Sequence, residues 1–63
     1  MTVEQIRKRL ENHINDLYEE TILTPTTEYK YIQISYHLQG AVKLAYRLGF
    51  ELIFQGDHYI VLG

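Results

Sequence analysis

Residues 29–49, YKYIQISYHLQGAVKLAYRLG, decide the fold because two periodicities compete in them. Over residues 32–39, apolar and polar side chains alternate, which favours a strand. At the helical period, an apolar stripe runs from Tyr31 to Leu48 and continues past Gly40, where the strand pattern stops. We therefore predict one helix from about Thr27 to Leu48.

The end of this stretch carries a helix-termination signal. Gly49 follows Arg47 and Leu48, and glycine is the usual residue just past the end of a helix. For residues 29–38, a strand followed by a short helix is the alternative that the pattern leaves open.

The N-terminal segment also reads as a helix. Thr2 and Gln5 have the spacing of a capping box, and apolar residues then recur at helical spacing. We predict a helix from about Val3 to Glu20 or Ile22, which ends before Pro25 because proline disfavours helical geometry in the residue preceding it. Thr24 before Pro25 could cap the second helix, since proline is well tolerated at the first helical position.

Two pairs of opposite charges are spaced one helical turn apart on this first helix. Glu4 precedes Lys8 and Arg7 precedes Glu11 by four residues, a spacing that brings side chains together. We expect both pairs on the solvated sides of the helix.

The C-terminal segment predicts a β-hairpin. Two apolar runs flank Gly56-Asp57, and glycine at the first position of a two-residue loop suits a tight turn. The resulting register pairs Phe54 with Tyr59 and Leu52 with Val61. One face of the hairpin then carries Phe50, Leu52, Phe54, Tyr59 and Val61, and the other carries Ile53, Ile60 and Leu62.

These elements predict one α+β domain over residues 1–63, with two antiparallel helices packed on a C-terminal two-stranded β-hairpin. The chain has 63 residues, no cysteine and a formal net charge of -2. A domain of this size buries only about 60% of its unfolded surface, so oligomerisation is a natural stabiliser. The mild charge predicts neither nucleic acid nor membrane as a partner, and we expect a soluble, cytoplasmic protein.

No motif points to catalysis, a metal or a cofactor, and we expect none of these. His13, His37 and His58 show no metal-binding spacing. Ser35 is the only serine and lies in no nucleophile motif. The sequence therefore predicts a protein that is not an enzyme.

Surplus apolar residues predict a protein-binding surface instead. Both hairpin strands are edges guarded only by Glu51 and Asp57, and such edges are templates for pairing with another chain. We expect a homodimer or larger oligomer and, in addition, an unidentified protein partner; packing of the second apolar stripe of helix 2 within the same chain is the alternative. The predicted contact residues are Tyr29, Ile32, Tyr36, Lys43, Ile53, Tyr59, Ile60 and Leu62.

Two other functions stay open at this point. Lys43 and Arg47 lie one turn apart on the second helix, which allows a nucleic-acid-binding module. The acidic Gly56-Asp57 tip argues against it, because a hairpin that grips phosphates needs basic residues. A structural subunit of a larger assembly is the other alternative.

The C-terminal half resembles small phage and prophage accessory proteins of Gram-positive bacteria. The resemblance rests on residues 40–52, GAVKLAYRLGFEL, followed by residues 56–62, GDHYIVL. It implies a small product that binds and modulates a host protein, such as an inhibitor of a host defence system.

Overall fold

A computed structural model describes all residues of the chain, 1–63, and contains two helices followed by a hairpin. Residues 29–38 are helical, so the helix predicted there is confirmed and the strand alternative is wrong. The elements are α1 (Val3–Leu23), α2 (Tyr29–Arg47), β1 (Glu51–Phe54) and β2 (Tyr59–Leu62). This is the predicted α+β arrangement. Neither helix is long and apolar enough to cross a membrane.

The start of α1 is set by the predicted capping box. The Thr2 hydroxyl accepts a hydrogen bond from the Gln5 N–H at 3.1 Å, and the Gln5 side chain accepts one from the Thr2 N–H at 3.0 Å. These bonds satisfy donors that have no partner inside the helix.

The connection between the helices differs from the prediction at Thr24. This residue ends α1 instead of capping α2: its backbone is extended and its N–H donates to the Glu20 carbonyl. Pro25 lies in the following turn, where its carbonyl accepts from the Glu28 N–H, and Glu28 is the N-cap of α2. The chain needs this turn to reverse direction, so the second helix begins later than a cap at Thr24 would allow.

The end of α2 is closed by glycine, as predicted. Gly49 has φ +90°, and its N–H donates to the Tyr46 carbonyl. The next N–H, that of Phe50, donates to the Ala45 carbonyl at 3.0 Å. This is the paired hydrogen-bond pattern of a Schellman motif, and it turns the chain directly into β1.

The hairpin has the predicted register. Phe54 pairs with Tyr59 and Leu52 with Val61, and the loop is closed by a hydrogen bond from the Gln55 N–H to the His58 carbonyl. Gly56 occupies the left-handed region at φ +73°, which glycine adopts at little cost.

The core lies where α1, α2 and one hairpin face meet. The two predicted helix stripes supply most of it, although their outer ends, Val3 and Leu48, are exposed. Among the inward-facing hairpin residues, Phe50 and Val61 are buried. The buried residues are Ile14, Leu17, Ile34, Ala41, Ala45, Phe50 and Val61.

Candidate protein-interaction site

The outer edge of β2 is covered by side chains of α1. Asn15 contacts both main-chain groups of Tyr59: its side-chain oxygen accepts from the Tyr59 N–H at 2.6 Å, and its nitrogen donates to the Tyr59 carbonyl at 2.9 Å. Glu11 accepts from the Val61 N–H at 3.0 Å, and Arg7 donates to the Val61 carbonyl at 2.6 Å. We call Arg7, Glu11 and Asn15 the α1 ladder.

The contacts of the α1 ladder correct three predictions. Arg7 and Glu11 do not lie on a solvated side, because their side chains are only 20% and 13% exposed and contact the strand. Nor are both hairpin edges open, because this ladder occupies the outward groups of β2. Glu4 bonds to Arg7 and not to the predicted Lys8, which bonds to Glu11 instead.

The ladder carboxylate is held in its charged form. Partial burial alone would raise the pKa of Glu11, but the Val61 N–H and the nearby Lys8 and Arg7 outweigh it, so the pKa lies below its ordinary value. Arg7 is tied to Glu4 in turn, and hydrogen bonding to Arg7 lowers the pKa of Glu4. At Val61, the β2 edge is therefore covered by ionised, mutually bonded groups.

The outer edge of β1 has no such cover. In an antiparallel pair, alternate residues turn their N–H and C=O groups away from the partner strand. Gln55 and His58 form a hydrogen-bonded pair, so the next pair, Phe54 and Tyr59, has outward-facing main-chain groups. Two residues further along, the same holds for Leu52 on β1 and Val61 on β2. No side chain or backbone group of the chain bonds to Leu52 or Phe54 outside the hairpin. We call these outward main-chain groups the free edge.

Beside the free edge lies the outer hairpin face, which consists of Ile53, Ile60 and Leu62. Ile53 is 46% exposed and Leu62 is 40% exposed, whereas Ile60, directly across from Ile53, is half-buried. Unpaired main-chain groups with an exposed apolar side chain, Ile53, beside them are a template for pairing with a further strand.

Tyr59 occupies a different position from the other predicted contact residues. It is half-buried on the inner side of the hairpin, where its ring packs edge-to-face against Tyr18 and Phe54, with centroids 5.4 and 5.0 Å away. Its ring therefore belongs to a structural cluster, and its backbone is held by Asn15.

The remaining predicted contacts form the outer α2 face, which consists of Tyr29, Ile32, Tyr36 and Lys43. All four are exposed, and Tyr36 is 68% exposed. A Cβ added to Gly40, on the same face, would have no neighbour within 4 Å. The chain thus leaves this face unpacked.

Tyr36 lines two open grooves on the surface of α2. One, of about 390 Å³, lies between the helices and includes His13, His37 and Leu44. The other, of about 170 Å³, is formed by α2 alone and includes Tyr31 and Ile32. A tyrosine with grooves on both sides is well placed to anchor a binding partner, since large aromatic residues supply much of the energy of protein interfaces.

Lys43 and Arg47, the residues of the nucleic-acid alternative, are both exposed and form no salt bridge. Arg7 and Lys8 are bonded to carboxylates of α1. Neither Lys43 nor Arg47 forms a side-chain hydrogen bond, and the two stand as a small exposed basic patch on α2.

Reactive groups are sparse. No group of three or more His, Asp or Glu side chains is placed to hold a metal ion. His58 contacts the neighbouring Asp57 at 2.6 Å in the exposed turn, and this contact lowers the pKa of Asp57. The arrangement suits a turn-stabilising contact more than acid–base chemistry, because no cavity faces it.

No protein-family model, no curated protein and no solved structure matches this chain. The site is therefore defined by geometry alone. The one part that sequence reasoning missed, the α1 ladder, does leave a signal: its residues are spaced four apart on α1, and their polar stripe runs beside the apolar one.

Proposed function

We propose that this chain is a non-catalytic protein-binding module that associates with itself through its hairpin and with a second protein through the outer α2 face. The observation that carries the proposal is the asymmetry of the hairpin edges. The edge of β2 is covered by the α1 ladder, whereas the free edge at Leu52 and Phe54 lies open beside the exposed Ile53.

Composition and burial support self-association. Only seven of the 63 residues are buried, and no disulfide compensates for so small a core. Pairing at the free edge would bury apolar surface of Ile53 that the monomer exposes, at about 25 cal/mol per Å² removed from water. Association is thus favoured both by unpaired main-chain groups and by exposed apolar side chains.

The second partner is proposed from the outer α2 face. Tyr29, Ile32 and Tyr36 form an exposed apolar stripe along the helix, with Lys43 at its end. Such a face fits a hydrophobic patch with an acidic rim on another protein. The resemblance to phage accessory proteins favours a host protein as this partner.

The proposal is tested by measuring solution mass with light scattering on the wild type and on Ile53→Glu. We expect a discrete wild-type oligomer that dissociates in the variant, because the substitution places a charge beside the free edge. Asn12→Glu, which adds the same charge at an exposed position of α1, should leave the mass unchanged. Circular dichroism of each variant separates dissociation from unfolding.

Two results would count against the proposal. A wild-type monomer at millimolar concentration would overturn self-association. An open-ended series of masses would favour a structural subunit of a larger assembly instead.

A further inference from the structure

We infer that β1 pairs antiparallel with β1 of a second copy, about a two-fold axis at Ile53, so that the dimer contains one continuous sheet in the order β2–β1–β1–β2. The inference rests on the proposed self-association and specifies its geometry. It follows from which main-chain groups are free, which are already bonded and where the charges fall.

The free edge is complementary to itself. Leu52 and Phe54 each present one N–H donor and one carbonyl acceptor away from β2. In a two-fold pairing centred on Ile53, Leu52 faces Phe54 of the second copy, and the two residues exchange both hydrogen bonds. By symmetry Phe54 does the same with Leu52, so every outward donor and acceptor of both strands is satisfied.

Shifted registers leave groups unpaired. Centring the axis on Leu52 would require the Phe50 N–H, which is already bonded to the Ala45 carbonyl at 3.0 Å. Centring it on Phe54 would require Gly56, whose φ of +73° belongs to the turn and not to a strand. Changing the pairing by one residue, so that Leu52 faces Ile53 of the second copy, would also fail. The N–H and C=O groups of Ile53 point toward β2, because hydrogen-bonding direction alternates along a strand.

Charge favours the same register. With the axis at Ile53, Glu51 faces Gln55 of the second copy, an amide that can donate to the carboxylate. An axis at Glu51 would place two carboxylates opposite each other, which is destabilising for directly facing strand residues. Ile53, 46% exposed in the monomer, then packs against its own copy on the outer hairpin face.

The α1 ladder limits the assembly to two copies. Each chain offers a single free edge, because Asn15, Glu11 and Arg7 occupy the outward groups of β2. Once the two free edges pair, no edge is left for a third chain. A two-fold pairing of this kind closes on itself and does not propagate as a fibre.

A charge exchange at Ile53 tests the register. Ile53→Glu and Ile53→Lys each place like charges opposite each other on the two-fold axis, so each variant alone should dimerise at least about tenfold more weakly than the wild type. An equimolar mixture should recover dimers that contain one chain of each variant. Light scattering gives the mass, and native mass spectrometry distinguishes the mixed dimer from self-paired ones.

A single cysteine provides a second readout that leaves the charge unchanged. Facing residues of a non-hydrogen-bonded pair have Cα atoms about 4.5 Å apart, which a disulfide can span. Ile53→Cys should therefore form an interchain disulfide under mild oxidation, and the chain has no other thiol. Ile60→Cys is the matched control: it lies beside Ile53 on the same face, but its copy would be about three strand spacings away, roughly 14 Å, beyond disulfide reach.

The outcomes separate the register from the proposed function. A wild-type dimer whose Ile53 variants keep wild-type affinity, or that crosslinks through Ile60→Cys and not Ile53→Cys, overturns the register and leaves self-association standing. A wild-type monomer overturns both, and the free edge would then be open to an extended segment of a different protein. Recovery of the mixed dimer together with crosslinking at Ile53 alone supports the inference.

Discussion

The side chain of Asn15 replaces a missing strand beside Tyr59. Its oxygen accepts from the Tyr59 N–H at 2.6 Å and its nitrogen donates to the Tyr59 carbonyl at 2.9 Å, the two bonds that a neighbouring strand residue would otherwise make. A helix residue thereby fastens β2 to α1 and blocks its edge. The same edge is held one residue pair further along by Glu11 and Arg7 at Val61.

Replacement of Asn15 should weaken the fold measurably. Asn15→Ala leaves the partly buried N–H and carbonyl of Tyr59 without partners, and we expect a loss of about 2 kcal/mol in the free energy of unfolding. Urea denaturation at one fixed protein concentration measures it. Asn12→Ala, an exposed asparagine on the same helix, should stay within about 0.5 kcal/mol of wild type. Equal effects at the two positions would contradict the role assigned to Asn15.

Acid should destabilise the protein in part through Glu11. Its pKa in the folded chain lies below the ordinary 4.5 despite partial burial. The ionised carboxylate therefore contributes its full stabilisation above the pKa of the unfolded chain, and this is lost as the pH falls through the lowered folded pKa. Glu11→Gln should be less stable than wild type at pH 7 and lose less free energy of unfolding between pH 7 and pH 3. The lowered pKa values of Glu4 and Asp57 affect both proteins alike, so parallel pH profiles would rule out this contribution of Glu11.

Two glycines of α2 and its terminus should respond oppositely to alanine. Gly49 has φ +90°, so Gly49→Ala should cost about 1 kcal/mol although no atom blocks the added Cβ. Gly40 lies inside the helix with open space around it, so Gly40→Ala should stabilise by about 0.5–1 kcal/mol. Thermal unfolding of the two variants gives the comparison. A destabilised Gly40→Ala would contradict the open space that surrounds this residue.

The aromatic cluster should depend on the ring of Tyr18 and not on its hydroxyl. Tyr18 packs edge-to-face on Phe54 and Tyr59, with centroids 5.2 and 5.4 Å away. Tyr18→Ala should lower the free energy of unfolding by roughly 2 kcal/mol, whereas Tyr18→Phe should change it by less than about 0.5 kcal/mol. Tyr46→Ala removes an exposed ring as the control. A comparable loss in Tyr46→Ala would mean that the cluster contributes little.

Local patterns predicted the elements well where the deciding contacts lie close in sequence. Thr2 and Gln5 cap α1 from a distance of three residues, and Gly49 ends α2 through bonds to residues within the preceding turn. The hairpin register followed from the two-residue loop at Gly56. Thr24 was misassigned because its position allows it either to end α1 or to cap α2. It ends α1, because the chain needs residues 25–28 to reverse direction before α2 begins.

The site was predicted less completely because it depends on packing. The exposed positions of Tyr29, Ile32 and Tyr36 agree with a second stripe on α2. The four-residue spacing of Arg7 and Glu11, however, is the same for a solvated pair as for a pair that binds a distant strand. The alternating pattern of β2 placed Tyr59 on the inner hairpin face, where it lies. The packing of its ring, however, depends on Tyr18, which is far away in the chain.

The sequence by itself determined the two helices, the start of α1, the end of α2, the hairpin and its register, because caps, turns and periodicity act over a few residues. Only the tertiary structure decided which hairpin edge is covered and which is open. The bonds of Asn15 to Tyr59 and of Arg7 to Val61 join residues 44 and 54 positions apart. Contacts of that range exist only after α1 has packed along β2, and their presence there leaves β1 as the single edge available to a second chain.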